Sequence, residues 1–467
     1  MKYLIVFSIT SSILVSISAA QVNVTNSVLS LTDPAGIPSE LDPVFICNDF
    51  ALVERSQTDK YKIESQELFP DVPGDYYVMR ILDEEKLDHL PEKLPYILIG
   101  EHSIFKTDPA GAEELANYGW GLTKLSAAVK TKKAGPFYPP VIDVDYDPDI
   151  AAMIAGITPA SCESTMAEIT SFPTRYSYTP GCRRAEDSVY SQFNDLSLTS
   201  SYFDFSWWGT DMRNVIGEIP GTVSPESVII ICAHLDCTSE DPYNYAPGAE
   251  DNGSGSVSVL KAARALSQYQ PELTIRFITF SGEEQGLIGS DEYADSMQTA
   301  GENIVAVINL DMVAYRGQYA NDMYIFSDPQ SHWLGSLAAG VMDLYTDVDT
   351  VTLYENTPRS GSDHYSFAIR GYPAIFFIDA WGGPDWYPYY HTTADTAGNL
   401  DMSLLAGVTR TGAAMAAILA RVDFGANPDP VPTLSEWGLL ILALLLLLAG
   451  TIGVIRRRKL VQARYHD

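Results

Sequence analysis

The sequence predicts an α/β protein: a three-layer α/β/α sandwich around a mixed, mostly parallel central sheet, preceded by a small α+β or β N-terminal domain. Three observations carry this expectation. Between about 146 and 425, apolar strand-like runs alternate with helical periodicity, the signature of buried strands covered on both faces. Before 145 the pattern differs, with short strand-like runs between charged turns. Histidines and acids stand just after several of the later strand runs, where α/β sheets gather their ligands.

Taken in order, residues 21–145 contain strand-like runs such as Tyr76–Met79 and Tyr96–Ile99 and no catalytic motif. Pro136, Pro139 and Pro140 break the pattern, and the segment VIDVDYDPD reads as a linker. Residues 146–425 form the main domain. Its strand runs fall at 228–232, 273–280, 304–310, 323–327 and 374–378, and its helices at 256–269, 287–298, 331–345 and 402–421.

The two ends concern location. Residues 1–20, with Lys2, an apolar stretch and the small residues Ser18 and Ala20, have the form of a secretory signal. Residues 439–455 lack charge and precede Arg456, Arg457, Arg458 and Lys459, as in a marginally long spanning helix with its basic flank inside. The linker 426–438 ends in Val431-Pro432-Thr433-Leu434-Ser435-Glu436-Trp437-Gly438, and together with the helix and basic cluster over 439–459 it resembles the bacterial IPTL-type sorting tail. That resemblance implies an exported protein of a Gram-negative envelope, destined for periplasm, cell surface or medium. It also implies transient anchorage of the helix in the inner membrane and an envelope sorting or processing enzyme as partner.

Composition excludes other classes. The 467 residues are 46% hydrophobic, enough for a sizeable core, and carry 60 acids against 29 bases for a net charge of −31. Such a surface repels nucleic acid. Of five cysteines, Cys162 and Cys182 bracket a short segment and could pair in an oxidising compartment. Cys232 and Cys237 suit core packing or a local disulfide, and Cys47 stands apart.

The chemistry lies at the strand ends. Val228–Cys232 runs into Ala233-His234-Leu235-Asp236, the strand at 273–280 into Ser281-Gly282-Glu283-Glu284, and that at 304–310 into Asp311. The run at 374–378 is followed, after a loop, by Tyr390-His391, and Asp251 sits in a glycine-rich loop before a helix. Two imidazoles and three carboxylates at one sheet edge form a ligand set for a pair of zinc ions. Two cations about 3.5–4 Å apart can clamp a water and a substrate carbonyl, and a carboxylate between them offsets their repulsion. Asp251 suits the bridge because glycines allow close backbone approach. A non-ligand base must then take the proton of the metal-activated water, and Glu283, beside the ligand Glu284, fits that need.

The segments AHLD, PGAEDNGSG, SGEEQGLIGS, NLDM, SDHYSF and YYHTTADT resemble, in order and spacing, the M28 zinc aminopeptidases over about 150–420. The resemblance implies one zinc on His234 and Asp311, the other on Glu284 and His391, and Asp251 between them. Glu283 would be general base and later proton donor to the leaving amine. Asp236 would orient His234, with Asp363 and Asp395 as further supporting acids and a cis Asp251–Asn252 peptide. His364 would support the site rather than bind metal. Met312, Phe376, Phe377, Ile378 and Tyr390 flank the ligands and could line an apolar pocket. Arg359 stands near the position where the family often places a substrate-contacting tyrosine.

The expected substrate is therefore a peptide or protein N-terminus. A carboxypeptidase or dipeptidase of the same family would instead need bases for a terminal carboxylate, for which Arg359 and Arg370 are the nearby candidates. A silent surface-binding protein would usually have lost a ligand or the base, and none is lacking. A glutaminyl cyclase is disfavoured by the retained His234 and Asp311, and a serine hydrolase by the absence of G-x-S-x-G.

Overall fold

The computed structural model describes residues 144–317, 322–354, 360–380 and 386–424, with strand and helix segments inside 6–125. The sorting tail, Arg359, Cys47 and all of the expected signal except a two-residue strand lie outside these residues.

The main domain is built on an eight-stranded sheet: β1 (Thr199–Trp207), β2 (Thr210–Ile219), β3 (Ser224–His234), β4 (Leu273–Phe280), β5 (Asn303–Leu310), β6 (Asp322–Ser327), β7 (Asp349–Tyr354) and β8 (Ala374–Ile378). Their order is β1-β2-β4-β3-β5-β8-β6-β7. The central strands β4, β3, β5 and β8 are mutually parallel, whereas β1–β2, β2–β4 and β8–β6 pair antiparallel. A mixed, mostly parallel centre with flanking helices is the expected fold.

The physical cause is legible in β3 and β8. Val228–Cys232 and Ala374–Ile378 are buried at every position, so both faces of the strand must be covered. Covering is done by α1 (Pro148–Ile154), α2 (Pro159–Ile169), α3 (Pro180–Asp195), α4 (Gly255–Leu266), α5 (Ile288–Ala300), α6 (His332–Tyr345), the short α7 (His364–Ala368) and α8 (Met402–Leu419). Helix α8 is apolar and 18 residues long, enough by composition to enter a membrane, but 78% of it is buried inside the domain. Its alanines and glycines let it pack closely on α2, α4 and α6.

Several elements lie outside the pattern read from sequence. Helices α1, α2 and α3 each begin at a capping residue followed by proline: Asp147-Pro148, Thr158-Pro159 and Thr179-Pro180. The hairpin β1–β2 and the edge strand β7 are likewise additional. The disulfide expectation is corrected. Cys162 and Cys182 are free and buried on α2 and α3, with Cys182 Sγ 3.6 Å from Ser281 Oγ and from Glu186 Oε1. Cys232 and Cys237 are also free and buried, in core packing.

The N-terminal region forms a small β domain. In its main sheet Tyr96–Ile99, His102–Thr107, Asp75–Arg80 and Trp120–Leu125 are successive antiparallel neighbours. A helix, Pro109–Ala116, packs on this sheet, and Tyr77, Met79, Phe105, Leu115 and Leu122 form its apolar core.

Candidate metal centre

The carboxyl ends of β3, β4, β5 and β8 set the site. His234 closes β3, and its Nε2 lies 3.3 Å from Asp251 Oδ1 and 3.3 Å from Asp311 Oδ1. Its Nδ1 donates to the main-chain carbonyl of Asp236 at 3.1 Å, which turns Nε2 toward the acids. Asp311 follows β5, and its Oδ2 accepts from Ser362 Oγ at 2.6 Å. On the other side His391 Nε2 stands 2.9 Å from Glu284 Oε2 and 3.1 Å from Asp251 Oδ2. Two clusters result, His234/Asp251/Asp311 and Asp251/Glu284/His391, each with donor atoms within 4.8 Å of one another. Asp251 belongs to both.

The Asp251 loop is held from three directions. The Asp251–Asn252 peptide is cis, as the sequence resemblance implied. Asp395 accepts the main-chain N–H of Glu250 at 2.8 Å and of Asp251 at 3.1 Å. Arg175, fully buried, donates to the carbonyls of Pro247 and Gly248 at 2.7 Å each and to that of Leu235 at 2.8 Å. Asn252 is tied to β5 through its Nδ2 and the Leu310 carbonyl at 3.0 Å.

Asp236 does more than face His234. Its carboxylate is 3.8 Å from His234 Nδ1, but it accepts the N–H groups of Glu283 and Glu284 at 3.3 Å each and the Ser177 hydroxyl at 2.7 Å. It thus orients the Glu283–Glu284 turn. Glu283 belongs to neither cluster, and its Oε2 lies 3.9 Å from His234 Nε2. Asp363 is wholly buried behind the site, where burial pushes it up to about 7. His364 stacks on Phe376 with ring centres 4.7 Å apart.

The pocket over the clusters is lined by His234, Asp251, Glu283, Glu284, Asp311 and His391, with Met312, Tyr390, Gly361 and, from the N-terminal domain, Gly121 and Leu122. Tyr390 stacks on His391 at 3.7 Å. Met312 and His391 both carry positive φ, 55° each, a strained conformation of the kind that collects at functional sites. Phe376, Phe377 and Ile378 are core residues of β8 and do not reach the pocket. Arg370, the candidate for a terminal carboxylate, instead pairs with Asp291 at 2.7 Å and is no part of the lining.

Electrostatics favour a cation. The lining brings four carboxylates against two imidazoles, with no Lys or Arg among the described lining residues. Buried anions in that ratio need positive charge or protons. In the chain alone, burial and the adjacent Asp251 raise Glu284 to about 7, and burial with Glu284 and Asp311 pushes Glu283 well up. Burial would lower His391, but Glu284 and Asp251 override it and raise it to about 10. Burial would raise Asp251, yet the two imidazoles hold it well below the usual carboxylate range. Glu284 Oε1 is buried with no hydrogen-bond partner. Imidazole and carboxylate donors in this arrangement fit zinc.

Sequence reasoning missed Arg175, Ser177 and Asp379. The last accepts the Tyr315 N–H at 2.6 Å while Glu250 accepts that of Ala314 at 2.7 Å, which fixes the segment after Asp311. None of the three stands within a motif; the partners of Arg175 and Asp379 are main-chain groups distant in sequence, and that of Ser177 is the Asp236 carboxylate.

A sheet-edge cluster of imidazoles and carboxylates on an α/β sandwich defines the class: a metal-dependent enzyme. Residues 214–416 match the model of peptidase family M28, and residues 429–459 match the IPTL-CTERM motif. The chain carries an M28 peptidase domain and is a zinc metallopeptidase. A probable leucine aminopeptidase of Arthroderma otae is 28% identical over 271 residues, covering 56% of this chain and 72% of the relative. A probable aminopeptidase of Saccharomyces cerevisiae is 26% identical over 354 residues, 68% and 90% of the two chains. Among solved structures, the LapA aminopeptidase of Legionella pneumophila superposes with a TM-score of 0.61 at 20% identity, covering 74% of this chain and 98% of its own. LapB of the same organism gives 0.59 at 18%, covering 74% and 99%. The two structures support the fold.

Proposed function

We propose that this chain is an exported di-zinc aminopeptidase that removes the first residue from peptides and proteins. The observation that carries the reading is the sharing of Asp251 between two donor clusters. His234 and Asp311 would hold one ion, Glu284 and His391 the other, and Asp251 would bridge. Zinc bound there would polarise the scissile carbonyl and make water a nucleophile near neutral pH. Glu283 stands outside both clusters, so its carboxylate is free to accept the proton of the attacking water and return it to the leaving amine. The two ions would offer a place to the free amino group as well as to the carbonyl, which restricts cutting to the first residue, and the apolar Met312 and Tyr390 favour an uncharged first side chain.

The IPTL-CTERM match supports export and sorting. The apolar run 439–455 and the cluster Arg456–Lys459 would hold the chain in the inner membrane of a Gram-negative cell, with residues before Trp437 outside, until an envelope processing enzyme acts. The carboxypeptidase alternative loses support because Arg370 is committed to Asp291.

Zinc-loaded protein should release leucine from a leucine arylamide and from peptides with free N-termini, and ignore the same peptides once acetylated. Glu283→Gln should abolish turnover with zinc retained. Cleavage of acetylated peptides at an equal rate, or a fully active Glu283→Gln protein, would refute the proposal.

A further inference from the structure

The turn after β4 carries two carboxylates with different anchors. Glu284 belongs to a donor cluster, so a bound ion would fix it, whereas Glu283 belongs to neither cluster and takes its place from the turn itself. That turn, Ser281–Gly289, does not hold itself by a regular repeat: φ is 78° at Gly282, 111° at Gly286 and 64° at Leu287. Asp236 holds its inner side through the N–H groups of Glu283 and Glu284, each at 3.3 Å. Those two bonds are long, and they leave the outer side to other groups.

Ser281, two residues before Glu283, is gripped by two side chains that no motif includes. Asn214 on β2 accepts the Ser281 N–H at 3.1 Å and donates to the Gly289 carbonyl at 2.8 Å, so one amide closes both ends of the turn. An added Cβ at Gly289 would lie 2.2 Å from the Ser281 carbonyl oxygen and 2.4 Å from Asn214 Oδ1, so the closure needs glycine there. The Ser281 hydroxyl donates to Glu186 Oε1 at 2.8 Å, across 95 residues of sequence. Glu186 lies on α3, and its other oxygen accepts Arg213 Nε at 2.7 Å and Arg183 Nη1 at 3.2 Å.

Glu186 is 3% exposed and stands outside both metal clusters. Burying a carboxylate is costly even when an arginine pairs it. What the charge adds is a strong acceptor, since a hydroxyl bonded to a carboxylate is held more tightly than one bonded to a neutral group. The chain Arg213–Glu186–Ser281 thus ties the root of the turn to β2 and α3.

We infer that Glu186 is a positioning residue for Glu283: acting through the Ser281 hydroxyl, it sets where that carboxylate stands beside His234. The role rests on the aminopeptidase reading, which makes Glu283 the base. A shift of about 1 Å in a catalytic group can cost about 100-fold in rate, whereas ligands held by an ion would stay in place. The signature is a loss in kcat without a loss of zinc.

Ser281→Ala is the sharpest variant, because it cuts the link to the turn and leaves the Glu186–Arg213 ion pair whole. Full-length, zinc-loaded wild type, Ser281→Ala, Glu186→Gln and the double variant are compared by kcat and KM on leucine 4-nitroanilide, zinc per chain and thermal melting. Ser281→Ala should lower kcat by about tenfold or more, with KM and zinc content unchanged. Glu186→Gln keeps a neutral acceptor for the hydroxyl and should lose less, and it should cost no further kcat when added to Ser281→Ala. A folded, zinc-loaded Ser281→Ala protein with wild-type kcat would overturn the role, as would a loss confined to KM or to zinc. Where Ser281→Ala does not fold, Glu186→Gln decides by the same criterion. An inactive wild type would refute the aminopeptidase reading and this role with it; an active wild type beside fully active variants would refute this role alone.

Discussion

Arg175 Nη2 donates to the Gly248 carbonyl at 2.7 Å, 73 residues away in sequence, and the guanidinium has no exposed surface. The same group holds Pro247 and Leu235, so one side chain joins the Asp251 loop to the segment after His234. A lysine has no planar fork and would leave at least one buried carbonyl unsatisfied. Arg175→Lys should therefore destabilise the domain by about 2–4 kcal/mol. Chemical denaturation checks this, and zinc content should fall in parallel, because two ligands lose their common brace.

Asp395 bears on the bridging position through the main chain. Its two oxygens accept the N–H groups of Glu250 and Asp251, and Tyr387 Oη donates to the first of them at 2.8 Å. Asp395→Asn would turn an amide donor toward a donor. It should lower zinc affinity or turnover by about 10- to 100-fold, the usual cost of losing a group that supports a ligand. Tyr387→Phe removes one hydrogen bond and should cost about 1 kcal/mol, with a much smaller effect on zinc. Equilibrium metal competition on both variants separates the two effects.

Zinc binding should release protons. Without metal, His391 is held protonated by Glu284 and Asp251 up to about pH 10, and a ligating imidazole must be neutral. The sign follows directly. Lower pH favours the protonated form, so apparent zinc affinity should fall as pH falls and rise with pH toward 10. Calorimetry of the apo-protein in buffers of different ionisation enthalpy counts these protons. Binding at pH 7 with no proton release would contradict the assignment of His391.

How much of this was legible in the sequence depends on what each residue touches. The buried central strands were readable because covering both faces of β3 and β8 demands continuous apolar runs. The ligand set was readable because His234, Glu284 and Asp311 stand at or just after strand ends, Asp251 in a glycine-rich loop, and His391 in the loop that follows β8. Helices α1 to α3 escaped a search for apolar periodicity, although Thr158-Pro159 and Thr179-Pro180 carry a start signal in cap and proline. The edge strand β1 escaped because its exposed positions are polar. Arg175 and Asp379 could not be found that way. Their partners are carbonyls and N–H groups, which every residue possesses, so no side-chain pattern marks them. The place of Gly121 and Leu122 in the pocket lining was equally hidden, since Gly121 signals a close approach only when the neighbouring chain is known.

The central claim is that five side chains hold two zinc ions with Asp251 between them. Zinc counted per chain by mass spectrometry of the native protein, beside Asp251→Asn, tests it most directly. The account predicts two ions in the wild type at saturating metal, and fewer in Asp251→Asn with turnover lost. A wild type that saturates at one ion, or an Asp251→Asn protein that keeps two and remains active, would contradict it.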